Sequence, residues 1–180
     1  MSSRAQSKSK IRLKTIELTV FAMLGAIMFA SKIIMEAAPN IHMLGMLTMV
    51  YTVVYRSKAL IPIYIYVFLN GLYAGFNQWW LPYLYIWTIL WGITMLLPKK
   101  MPRVSQMIVY PLLCCLHGLF FGALYAPVQA LIFGFDFEQT MAWIAAGLTF
   151  DVIHCISNLF MGMLVIPFSA LLRKLSKSFI

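Results

Sequence analysis

Acidic side chains are scarce: 5 Asp and Glu in 180 residues, against 14 Lys and Arg and a formal net charge of +9. Charge of either sign makes up only 11% of the chain, while 62% of it is hydrophobic and the mean hydropathy is +0.86. That composition excludes an ordinary soluble domain and points to a polytopic membrane protein. Cysteine is nearly missing, and Cys114, Cys115 and Cys155 all sit inside apolar runs. Two adjacent cysteines and a distant one form neither a disulfide framework nor a metal-ligand spacing, so the expected role is small apolar filler. No G-x-x-x-x-G-K-[ST] loop occurs, so ATP hydrolysis is not expected of this chain. No H-E-x-x-H motif, low-complexity segment or internal repeat occurs either.

What the chain does contain is apolar runs, over 15–37, 43–55, 59–76, 80–97, 104–133 and 139–172. A bilayer crossing takes about 20 mainly apolar residues, and 180 residues leave room for about six spans and little else. The basic segment 1–14 has the flavour of a signal peptide. The run behind it is too long for that, and no A-x-A-like cleavage site follows, so a retained cytoplasmic arm is expected. A single transmembrane domain then covers 15–172, and a basic tail covers 173–180. Apart from Lys32, every Lys and Arg falls in the arm or after the second, fourth or sixth run. This is the positive-inside pattern. The expected fold is an all-α integral membrane protein, a six-transmembrane-helix bundle with its N- and C-termini cytoplasmic. Charge spread around a membrane rim also argues against nucleic acid as a partner. Pro111 and Pro127 should kink the fifth run or define its ends.

Several residues stand out from this apolar background. Ala22, Ala26 and Ala30, with Gly25 beside them, reduce one stripe of the first helix almost to backbone. Such a stripe either packs the helix against its own neighbours or docks another membrane helix. Gly118, Gly122 and Ala126 form a second small-residue stripe. Lys32 lies within the first run and should face protein or a wet cavity. Glu36 stands four residues on, so an intrahelical pair competes with a more distant partner for Lys32. Asp151, His154 and Asn158, at i, i+3 and i+7, share one helix face that should look into the bundle, toward His117 or Lys32. They either tie helices together or face a ligand. Asn70, Asn77, Gln78, Trp79, Trp80, Tyr83, Tyr85 and Trp87 make an outer belt in which Trp and Tyr serve as interfacial anchors. Within it, Trp80, Tyr83 and Trp87 are spaced as one aromatic stripe, which suits a flat or ring-containing solute.

With its length, six runs, charge pattern and the Ala22-x-x-x-Ala26-x-x-x-Ala30 repeat, the chain resembles the substrate-binding S components of energy-coupling factor (ECF) transporters, the prokaryotic vitamin importers. The closing segment from Phe150 through Asn158 is similar to the last helix of many members. The resemblance implies that the alanine stripe contacts a transmembrane T subunit. It implies that the outer loops, here 37–42, 75–79 and 134–138, cap the solute. It also implies that two partner ATPases supply the ATP hydrolysis, with no cofactor or metal on this chain. The residues expected to touch the solute are Lys32, Asn77, Trp80, Trp87, His117, Asp151 and Asn158. Two other classes compete: a self-sufficient secondary transporter with Asp151 or Lys32 as proton carrier, and an intramembrane metalloenzyme built on His117, Asp151 and His154.

Overall fold

The computed structural model describes residues 15–38 and 40–177. The expected basic arm, Pro39 and the last three residues of the tail lie outside the described residues. Among the described residues all regular structure is helical: α1 Thr15–Ile34, α2 Leu44–Tyr55, α3 Leu60–Ala74, α4 Tyr83–Leu96, α5 Arg103–Leu119, α6 Phe121–Phe133, α7 Phe137–Met163 and α8 Val165–Ser176. Short 3-10 turns, Arg56–Ala59 and Gln78–Trp80, join α2 to α3 and lead into α4. Four stretches are long and apolar enough to cross a membrane: Thr15–Ile34, Leu44–Ala74, Arg103–Phe133 and Phe137–Met163. By length and composition, four such stretches stand against the six runs expected. At 1.5 Å per residue α2 and α4 extend only about 18 and 21 Å, and α2 reaches span length only together with α3.

The centre of the molecule is α2, whose sequence LGMLTMVYTVVY has no polar face. A helix that is apolar all round belongs in a core, and every residue from Leu44 to Thr52 is buried. It packs chiefly on α4 and α8, while α1 lies along α3 and α5 lies along α7. Glycines permit the tightest of these approaches. A Cβ on Gly25 would fall 2.5 Å from Ile65 of α3, and one on Gly162 would fall 2.6 Å from the Pro111 backbone. The second small-residue stripe is likewise internal: Gly118 lies against the His154 backbone, Gly122 lies against Asp151, and Ala126 is buried.

Close contact of α5 and α7 overturns the expectation for the cysteines. Cys115 and Cys155, 40 residues apart, have Cα atoms 4.2 Å from each other and form a disulfide, while Cys114 remains a buried free thiol. Nothing in the spacing announces this pair, because it depends on how the glycines seat two helices. Pro111 and Pro127 both lie inside helices, and the fifth run breaks between them at Phe120. The sixth run divides at Leu164, and α8 continues to Ser176, so Arg173 and Lys174 stand on a helix rather than in a tail.

One end of the bundle gathers the cations. Lys58 Nζ pairs with the buried Glu17 at 2.6 Å, and Tyr55 and Ser176 share a hydroxyl hydrogen bond of 2.6 Å. Arg56 donates to the Met95 carbonyl at 2.6 Å, and Arg173 donates to that of Val53 at 3.3 Å. The flanks of the bundle are apolar and exposed: Leu148, Phe150, Val152, Ile153, Ile156 and Phe160 of α7 all face outward. The buried residues of that helix are Asp151, His154, Asn158 and Gly162. Polar in and apolar out is the arrangement suited to lipid rather than water.

Candidate functional site

The inward face of α7 meets a cluster of rings. His42, from the loop before α2, lies 4.5 Å from His154, centroid to centroid, and 6.2 Å from Trp87 of α4. Trp87 stands 5.6 Å from His117 of α5 and 6.1 Å from Tyr66 of α3. Phe121, at the start of α6, closes the ring system at 4.9 Å from His154, 6.0 Å from Trp87 and 6.1 Å from His117. The chain's three histidines, far apart in sequence, thus converge on one tryptophan and one phenylalanine. Asn158 sits one turn beyond His154, where the bare faces of Gly45 and Gly118 leave room for its amide.

This cluster is unusual in its hydrogen bonding. Buried polar groups in folded proteins are almost always paired. Here Tyr66 Oη, Trp87 Nε1, His117 Nδ1, both ring nitrogens of His154 and both amide atoms of Asn158 are enclosed without a partner. His42 Nδ1 is the same, and so is the amide of Asn70, one helical turn from Tyr66 on α3. The His117 Nε2 lies 3.2 Å from the Ile86 carbonyl, which requires that nitrogen to donate and leaves Nδ1 as a lone-pair acceptor. The enclosed set therefore offers both donors and acceptors on aromatic walls, and it carries no carboxylate, lysine or arginine. Its chemistry suits an uncharged polar ring compound.

The sequence-based candidates divide around this site. Trp87, His117 and Asn158 are within it. Asp151 lies on the same face of α7 but is engaged: its Oδ1 accepts the Gly122 N–H at 3.0 Å, closing a free donor at the start of α6. Lys32 pairs with Glu36 at 2.8 Å and lies 5.5 Å from the Tyr73 ring, with about one-fifth of its side chain exposed. The Lys-then-Glu order does not prevent that pair, because α1 ends at Ile34 and Glu36 is free to turn back. Asn77 is exposed. Trp80 departs from the expected stripe. Gln78–Trp80 winds as a 3-10 turn, so Trp80 packs on Phe76 and donates to the Val67 carbonyl at 2.8 Å. Trp79 takes its place, 5.7 Å from Tyr83, which in turn is 6.0 Å from Trp87. For the metalloenzyme reading, the described residues contain no group of three His, Cys, Asp or Glu able to hold a metal ion.

Sequence reasoning passed over His42, Tyr66 and Phe121 as site residues. His42 had one available signal, a lone histidine in the short connection between the first two runs; Tyr66 and Phe121 are indistinguishable in sequence from the other aromatics of the apolar runs.

The His42 imidazole lies outside the spans, and its pKa is lowered from 6.5 to about 4. Burial is the main cause, with nearby His117 adding to the lowering. A base harder to protonate when folded makes unfolding easier as pH falls through its unfolded pKa. Stability is therefore expected to be flat above pH 6.5 and to decline toward pH 4. The loss for a shift of this size is on the order of 3 kcal/mol. Thermal melts of His42→Gln from pH 7 to 4 should lose most of that decline; an unchanged profile would show that another group governs it.

No protein-family model, curated protein or solved structure matches this chain.

Proposed function

We propose that this chain is the membrane-embedded, substrate-binding subunit of an ECF-type importer in a prokaryotic cytoplasmic membrane. It captures a vitamin or related ring-containing micronutrient at the outer face and delivers it inward with a T subunit and two ATPases. The observation that carries this reading is the enclosed polar cluster around Trp87, His117, His154 and Asn158, a set of hydrogen-bonding atoms with no partner inside the protein. Groups so placed stand ready to bind a solute. The chain is a carrier of binding energy and not an enzyme. Mass spectrometry of small molecules that co-purify with it should find one uncharged ring compound per chain, and its addition should quench tryptophan fluorescence. Protein purified from its native host without any such compound, and unresponsive to a panel of uncharged heterocycles, would sink the reading.

The topology in this reading is six crossings with both ends cytoplasmic. It is supported by the basic turn Arg56–Ala59 lying beside the start of α1 and the end of α8, as a helix pair returning to one surface would place it. The docking side is α1. Ala22, Ala26 and Ala30 are all exposed, beside a groove of about 380 Å³ between α1 and α8 whose walls include Val20, Met23, Ile27 and Leu172. Small residues let a partner helix approach its backbone. Replacing Ala26 with Trp should reduce ATP-driven uptake by about tenfold or more while leaving solute affinity unchanged, as measured in vesicles holding all subunits. Undiminished uptake would remove the stripe as the docking surface. Uptake by this chain alone, without ATP, would favour a self-sufficient transporter instead.

A further inference from the structure

The cationic end of the bundle holds a second cavity, of about 400 Å³, walled by Arg56, Lys99, Lys100 and Arg173 together with Gln106 and Tyr110. Four cations meet there, and none of the chain's five carboxylates lines the cavity. Glu17, at the same end, is paired with Lys58. Like charges held together without a counter-charge are unfavourable, so the arrangement calls for an anion from outside the protein. Two details of Arg56 strengthen the case. Its Nε is enclosed and has no partner, although its Nη2 donates to the Met95 carbonyl. Its backbone adopts φ 54° and ψ −122°, a conformation that favours glycine. The guanidinium is thus placed at this spot against the preference of its own backbone. A planar fork beside two exposed lysines and a phenol is a donor set for phosphate oxygens.

We propose that this cavity binds a phosphate group, either on the headgroup of an anionic phospholipid or as a free phosphate ion. Basic pockets between helices at a cytoplasmic membrane face are suited to such headgroups. Arg56 holds the phosphate from the bundle side, and the exposed Arg173, with Lys99 and Lys100 on the turn before α5, closes over it from the rim.

The full chain in nanodiscs of phosphatidylcholine is the reference state, and the readout is its melting temperature. One arm adds 20 mol% phosphatidylglycerol, and the other adds millimolar inorganic phosphate. A rise of about 4 °C in the lipid arm alone assigns the site to a headgroup, and an equal rise with inorganic phosphate assigns it to the free ion. In either case K99Q/K100Q should weaken binding on the order of fivefold per cation removed and abolish the rise, without lowering the reference melting temperature. R103Q/K174Q is the control: it removes the same charge from exposed positions outside the cavity. The proposal fails if neither arm raises the melting temperature, or if the control variant loses the rise as fully as K99Q/K100Q does.

Discussion

Asn158→Leu is expected to abolish solute binding while leaving the empty protein as stable as before, or more so. The two halves of that outcome have opposite signs because the amide is buried without a hydrogen-bond partner. Leaving a polar group so enclosed costs about 1–3 kcal/mol. An apolar side chain of similar shape removes that penalty, and the room for it already exists where Gly45 and Gly118 lack side chains. Binding moves the other way. A site built to hydrogen-bond its solute rejects a mismatch strongly, so affinity should fall on the order of 10²-fold or more. Melting curves and solute titrations on one preparation separate the two. Unchanged affinity, or a large drop in stability with no solute present, would make Asn158 a structural tie between α2, α5 and α7.

Gly118→Leu should be among the most destabilising single changes available. A Cβ at this position would lie 2.9 Å from the carbonyl carbon and oxygen of His154 and 2.8 Å from the Asn158 amide. Backbone cannot step aside as a flexible side chain can, so α5 and α7 would have to separate along their whole contact. Overpacking of this kind costs about 3 kcal/mol or more. It should also scatter the cluster, since His117 and His154 are placed by the same pair of helices. Gly147 is the internal comparison: it lies on α7 with nothing within 4 Å of its would-be Cβ. Gly147→Leu should therefore melt close to the parent, and a similar loss in both variants would show that α5 and α7 are not locked through Gly118.

These two glycines show where sequence reading reaches its limit. Gly118 belongs to a small-residue stripe legible in the sequence and Gly147 does not, but only the crossing of α5 on α7 shows how tightly the first is packed and how open the second is. The same crossing pairs Cys115 with Cys155, a contact with no local pattern to announce it. The 3-10 turn at Gln78–Trp80 is a similar case. It rotates Trp80 away from the stripe expected of a continuous helix and brings in Trp79.

Helical class, lipid-facing character and the inward face of α7 were legible beforehand, because they rest on composition and on periodicity, which are local properties. So was the concentration of cations between alternate runs. Which polar groups would be partnered was not. Of the two partners the sequence left open for Lys32, the structure takes Glu36, while Asp151 finds a backbone amide of α6 that no spacing indicated. The unpartnered set around Trp87 belongs instead to side chains without a carboxylate, ammonium or guanidinium, from α3, α4, α5, α7 and the loop before α2. Their meeting point depends on close helix packing, and no spacing along the chain encodes which distant residues that packing will bring together.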